Sequence, residues 1–153
     1  MKKIITVLIC VFIMSSLCFA GERELKVSIM GKQFEDISGV FLQQETGRVM
    51  VSVRGIAEKL GATVEYLPST EERGAGFVIN HNDVSIRMFE DSSRAYLMKN
   101  SNMKSIDMGA KVVNINSINF VPVRFISENL NFKVEWKNFD MYDLVEITEN
   151  KNI

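Results

Sequence analysis

From residue 25 onward, apolar and polar residues alternate through short stretches set apart by turn letters. "LKVSI", "FVINHNDVSIRMF", "AKVVNINSINFV" and "YDLVEI" read as β-strands, because side chains on an extended chain point to opposite faces in turn. The polar interruptions "NHND" and "NINS" mark tight hairpins. The spacing changes at Val53, Ile56, Ala57 and Leu60, which fall three to four residues apart and so share one face of a short helix. Gly61 follows, where a helix ends in a left-handed residue, and alternation resumes at Val64 and Tyr66.

This strand, helix, strand unit occurs twice. "VSVRGIAEKLGATVEY" (51–66) aligns without a gap with "VPVRFISENLNFKVEW" (121–136). Where the letters differ, the physics is kept. Pro122 takes the place of Ser52 at the start of the helix, where a missing N–H does no harm. Asn131 replaces Gly61, and Asn is the side chain that best tolerates a left-handed backbone. Strands outnumber helices, and those joined by short turns should be antiparallel, so the pattern predicts an α+β protein of two halves, about 21–90 and 91–153. "EDSSR" (90–94) is the expected seam, and Gly74 and Gly76 in "TEERGAG" mark a turn inside the first half.

The first twenty residues belong to neither half. Lys2 and Lys3 precede "IITVLICVFIM", and Ala20 closes a small-residue end, which is the layout of a secretory signal peptide cut after Ala20. An uncleaved anchor is the alternative, but the span is shorter than the roughly 20 apolar residues that cross a bilayer, and it contains Thr6, Ser15 and Ser16. Lipid attachment at Cys18 ranks last, since Leu17 stands where a small residue is wanted. Cys10 and Cys18 both lie in this leader, so the mature chain carries no thiol, no disulfide and no stable membrane span. Its 133 residues suffice for one core burying roughly two thirds of the extended surface. Without Lys2 and Lys3 the charges stand at 16 basic against 19 acidic, a net of −3, which argues against nucleic acid as a partner.

Candidate chemistry is sparse. His81 is the only histidine, too few for a protein copper site, and its place in "NHND" puts it at a hairpin tip, a poor seat for a catalytic base. Glu58 and Glu128 could suggest a glycosidase pair. They occupy the same slot in two copies, however, each four residues after Arg54 or Arg124, the spacing of a helix-surface ion pair. No catalytic residue, metal ligand or cofactor site is assigned. In the aromatic cluster "WKNFDMY" (136–142), Trp136 shares strand parity with Val134 and Phe132, as Tyr66 does with Val64, so both rings are expected in the core. Phe139 and Tyr142 escape that parity and are the candidate binding residues, since carbohydrate binders stack sugar rings on exposed aromatic faces.

Taken together, Val51, Val53, Arg54, Ile56, Glu58, Leu60 and Gly61, followed by Pro122, Val123, Arg124, Ile126, Glu128, Leu130 and Trp136, resemble the signature of the copper amine oxidase N-terminal domain, or stalk domain, family. The resemblance runs from about Leu25 to Ile147; Ser52 and Asn131 depart from it, where the family commonly has Pro and Gly. It implies antiparallel sheets, each wrapped around a short helix. It also implies a non-catalytic module on exported proteins, particularly of Gram-positive bacteria, often beside cell-wall hydrolases. The copper and modified tyrosine of the oxidases belong to a different, larger domain. The expected function is therefore to bind or space components of the cell envelope, with a wall polymer or an extracellular protein as partner. The alternative is an extracellular enzyme, or a hydrolase accessory subunit, of unrecognised type.

Overall fold

The structure, a computed structural model, describes residues 23–36 and 38–151. The expected leader, residues 1–20, lies outside the described residues. The chain runs β1 (Glu24–Ile29), β2 (Lys32–Gln33), β3 (Val40–Gln43), β4 (Arg48–Ser52), α1 (Val53–Lys59), β5 (Thr63–Leu67), β6 (Gly76–His81), β7 (Val84–Phe89), β8 (Arg94–Lys99), β9 (Asn102–Asp107), β10 (Val113–Ile115), β11 (Ile118–Pro122), α2 (Val123–Asn129), β12 (Phe132–Asn138) and β13 (Tyr142–Glu149). Each helix forms where the apolar period lengthens and stops at the residue foreseen for it. Ser52 caps α1 by accepting the Gly55 N–H at 3.1 Å, whereas Pro122 caps α2 through its backbone shape alone. Gly61 and Asn131 terminate the two helices with φ of 78° and 71°. "NHND" and "NINS" make the turns of hairpins β6–β7 and β10–β11, with Asn82, Asn116 and Ser117 at positive φ.

The strands form three sheets, in the orders β10-β11-β4-β3, β5-β6-β7-β8-β9 and β12-β13-β1-β2. In the first, β4 and β11 are antiparallel with Val51 opposite Val121. These two valines are equivalent in the sequence repeat, so a local two-fold axis passes between them and relates one strand–helix unit to the other. The third sheet joins the beginning of the described chain to its end: β1 lies parallel to β13 over six residues, from Glu24 opposite Tyr142 to Ile29 opposite Ile147.

The α+β expectation is overturned. Of the described residues, strands hold 55% and helices 11%, and among them no helix has a sheet of its own wrapped around it. A seven-residue helix is only about 10 Å long, too short to fill a sheet's concave face. The edge of each repeat is instead satisfied by the other repeat, through β4 and β11. The parallel β1–β13 pair also departs from the all-antiparallel expectation. Parallel neighbours need a long connection, and here nearly the whole chain supplies it.

Ile56 and Leu60 of the first repeat and Ile126 and Leu130 of the second belong to one buried cluster with Val51, Val121, Ile79, Ile86, Val145 and Ile147. On the other side of the central sheet Met50, Ala110 and Phe120 form a smaller core, closed by an edge-on contact of Phe41 with Phe120 at 5.2 Å. Residues 90–93 connect β7 to β8, which pair with each other, so a division at 90–94 passes through the five-stranded sheet rather than between sheets. The exposed edge β12 is covered with charge, as an edge that must not pair with strangers should be. Lys133 bonds Glu135 at 2.7 Å and holds its carboxyl below the usual carboxylate range, and Lys137 is held above the usual lysine range by its bond to Glu146.

Candidate functional site

A cleft of about 710 Å³ opens where the two repeats meet, between the start of α1, strand β5 and the β10–β11 hairpin. One wall is built on the helix cap. Ser52 donates its hydroxyl to Asp36, whose other carboxylate oxygen accepts the Ser38 N–H at 2.9 Å. A side chain at position 55 would run into Ser52 Oγ and the Asp36 carboxylate, which is why glycine stands in the first turn of the helix. The facing wall comes from the second repeat. Asn114 donates to Glu90 Oε1 at 3.1 Å and to Asn119 Oδ1 at 2.9 Å, and accepts the Ser117 N–H at 3.2 Å. Arg54 and Glu58, 3.9 Å apart, flank the opening, and Tyr66 stands beside them with 61% of its surface exposed.

The placing of Tyr66 and of its repeat equivalent Trp136 in the core is corrected: Trp136 is 39% exposed. Both rings share strand parity with a residue that packs inward two positions earlier, the buried Val134 and the half-buried Val64. Each strand, however, runs on past its two-turn helix, and two residues of strand cover about 7 Å. Parity selects the face, while the length of the covering helix decides how much of that face is dry. Trp136 is the single tryptophan, so native fluorescence reads it directly. Emission close to that of a solvated indole and ready quenching by iodide are expected, with Trp136→Ala costing less than the roughly 3 kcal/mol at which truncation of a buried Trp begins. A blue-shifted emission shielded from iodide would return the ring to the core.

Phe139 and Tyr142 are brought together at the β12–β13 turn, their rings stacked 4.7 Å apart at 22°, with Lys26 Nζ 4.5 Å from the centre of the Tyr142 ring. Arg23 fixes this corner through the Phe139 carbonyl and a 3.1 Å pair with Asp143. The two rings do not line the cleft. His81, at the end of β6, faces a second hollow of about 560 Å³ bordered by both helix C-termini, its ring 6.1 Å from Phe132. Glu58 and Glu128 make the helix-surface pairs foreseen for them, at 3.9 Å with Arg54 and 3.4 Å with Arg124. Among the described residues no three His, Cys, Asp or Glu side chains gather as a metal-holding group, and no helix is long and apolar enough to cross a membrane.

Sequence reasoning missed Asp36, Glu90, Asn114 and Asn119 as cleft residues. The two asparagines flank a turn that was legible only as a turn, and nothing local announces that Glu90 meets Asn114 across 24 positions. Neither curated proteins nor solved structures give a match to this chain. A family model does: the copper amine oxidase N-terminal domain, a non-catalytic module in the enzyme for which it is named, matches residues 31–140. That match spans both repeats, both helices and every residue of the cleft, and the chain therefore belongs to the copper amine oxidase N-terminal domain family.

Proposed function

We propose that this protein is an exported, non-catalytic module that binds or spaces components of the cell envelope, its cleft being the contact site and a wall polymer its partner. The observation that carries this is the state of the cleft's carboxylates. Asp36 accepts from Ser52 and Ser38, Glu90 accepts from Asn114, and Glu58 lies beside Arg54. Each acid is held by a donor or a counter-charge rather than by a base–nucleophile pair, and among the described residues the side chain within reach of the His81 ring nitrogens is Asn82, which is no nucleophile. What such a surface does well is hold a ligand without altering it. The leader-like first twenty residues support export.

The test is co-sedimentation of residues 21–153 with purified Gram-positive cell walls. Most of the protein is expected in the pellet, with no soluble sugar or peptide released. Protein remaining in the supernatant at every wall concentration would remove the envelope-binding function, and released fragments would make the chain an enzyme.

A further inference from the structure

We infer that the cleft between α1 and the β10–β11 hairpin is a site for a neutral oligosaccharide, one ring of which lies on Tyr66; this rests on the envelope-binding function proposed above and names the chemistry of its ligand. Three features of the site point to that class.

The first is Tyr66. A tyrosine that leaves 61% of its surface in water, on the wall of a cleft whose floor includes the buried Phe77, offers a flat apolar face with a hydroxyl at its rim. A pyranose ring has the matching form, with an apolar C–H face and a polar circumference.

The second is charge. Asp36, Glu58 and Glu90 outnumber Arg54 in the lining, which at first suggests a cation. Each carboxylate, however, is already engaged by a partner within the protein. At Asp36, which accepts on both carboxylate oxygens, a cation would have to displace Ser52 or Ser38, whereas the second oxygen of Glu90 and the exposed Glu58 are open to one, so a cationic probe is the contrast that decides between the two ligand classes. A ligand of hydroxyl groups need displace nothing.

The third is spare hydrogen-bonding capacity. Asn119 uses its carbonyl on Asn114, and among the described residues its amide N–H groups meet no acceptor; Glu90 accepts through one oxygen and keeps lone pairs on the other. Arg54, Glu90 and Asn119 thus line the same cleft as Tyr66 with both donors and acceptors, the mixture that vicinal hydroxyls satisfy. A cleft of about 710 Å³ lies within the range of small-molecule sites, roughly 300 to 1,000 Å³.

The experiment is an amide NMR titration of residues 21–153 with two neutral probes, chitotetraose and cellotetraose, and with trilysine as the cationic contrast. At least one tetrasaccharide is expected to shift the signals of Tyr66, Asn114 and Asn119 in a saturable way, while trilysine leaves them in place. Tyr66→Ala, at a position too exposed to endanger folding, weakens that binding about tenfold or more, and Tyr66→Phe, which keeps the ring, stays within about threefold of the parent. Silence of the cleft signals toward both tetrasaccharides overturns the inference even where the protein still sediments with cell walls, as does a response to trilysine alone or unchanged binding by Tyr66→Ala. Saturable saccharide binding by a protein that ignores cell walls upholds the cleft chemistry and removes the envelope role instead.

Discussion

Cutting the chain between Glu90 and Asp91 is expected to leave two fragments, neither of which melts cooperatively. The cut severs three ladders at once. Fragment 21–90 keeps β1, β4 and β7, and fragment 91–153 keeps their partners β13, β11 and β8. Each fragment would expose the long edge of a strand that is interior in the whole protein, and each has about 65 residues with no cysteine to brace it. Chains of that size bury only about 60% of their extended surface and are marginal even when their core is complete. Here it is not, because the buried cluster draws on both repeats. Circular dichroism melts of the two fragments beside the 21–153 chain decide the matter. Two sharp transitions at the temperature of the whole would mean that the repeats are independent modules.

Ile56→Ala and Ile126→Ala should each remove roughly 2 to 5 kcal/mol, a large share of the 5 to 15 kcal/mol that holds a typical domain together. The two isoleucines are equivalent in the repeat, fully buried, and members of the same cluster. Each substitution deletes apolar carbon where no water can enter, and the stiff sheets around the site leave little room for collapse. Because one core is shared, both variants should lower the midpoint of a single urea transition and leave no second transition at the parent midpoint. A variant in which half the signal still unfolds at the original urea concentration would show that its repeat stands alone, contrary to the packing.

How much of this was legible in the sequence can be judged residue by residue. Val53, Ile56, Ala57 and Leu60 announced a helix by their spacing, and Gly61 and Asn131 announced its end, since only a few residues accept the backbone angle required there. The turns at "NHND" and "NINS" and the Arg54–Glu58 and Arg124–Glu128 pairs followed from equally local causes. Gly76 marks the first limit. It reads as a turn residue but begins β6, where an added Cβ would meet the Met88 carbonyl oxygen and the Phe89 ring on the neighbouring strand. No local pattern carries that collision.

By itself, then, the amino-acid sequence determined the two helices with their ends, the hairpins at "NHND" and "NINS", the first and last strands, and the duplication that relates Val51 to Val121, but not β2, β3, β8 or β9. Those depend on interactions within a few residues, which the order of side chains fixes directly. Only the tertiary structure decided that the two repeats share one sheet and one core, that β1 closes against β13, that Tyr66 and Trp136 outrun their helices into water, and that Asp36, Glu90, Asn114 and Asn119 meet around a cleft. Each of these depends on which distant edge a strand finds and on how far a helix reaches, and such contacts are chosen by the burial of the whole chain rather than by any segment of it.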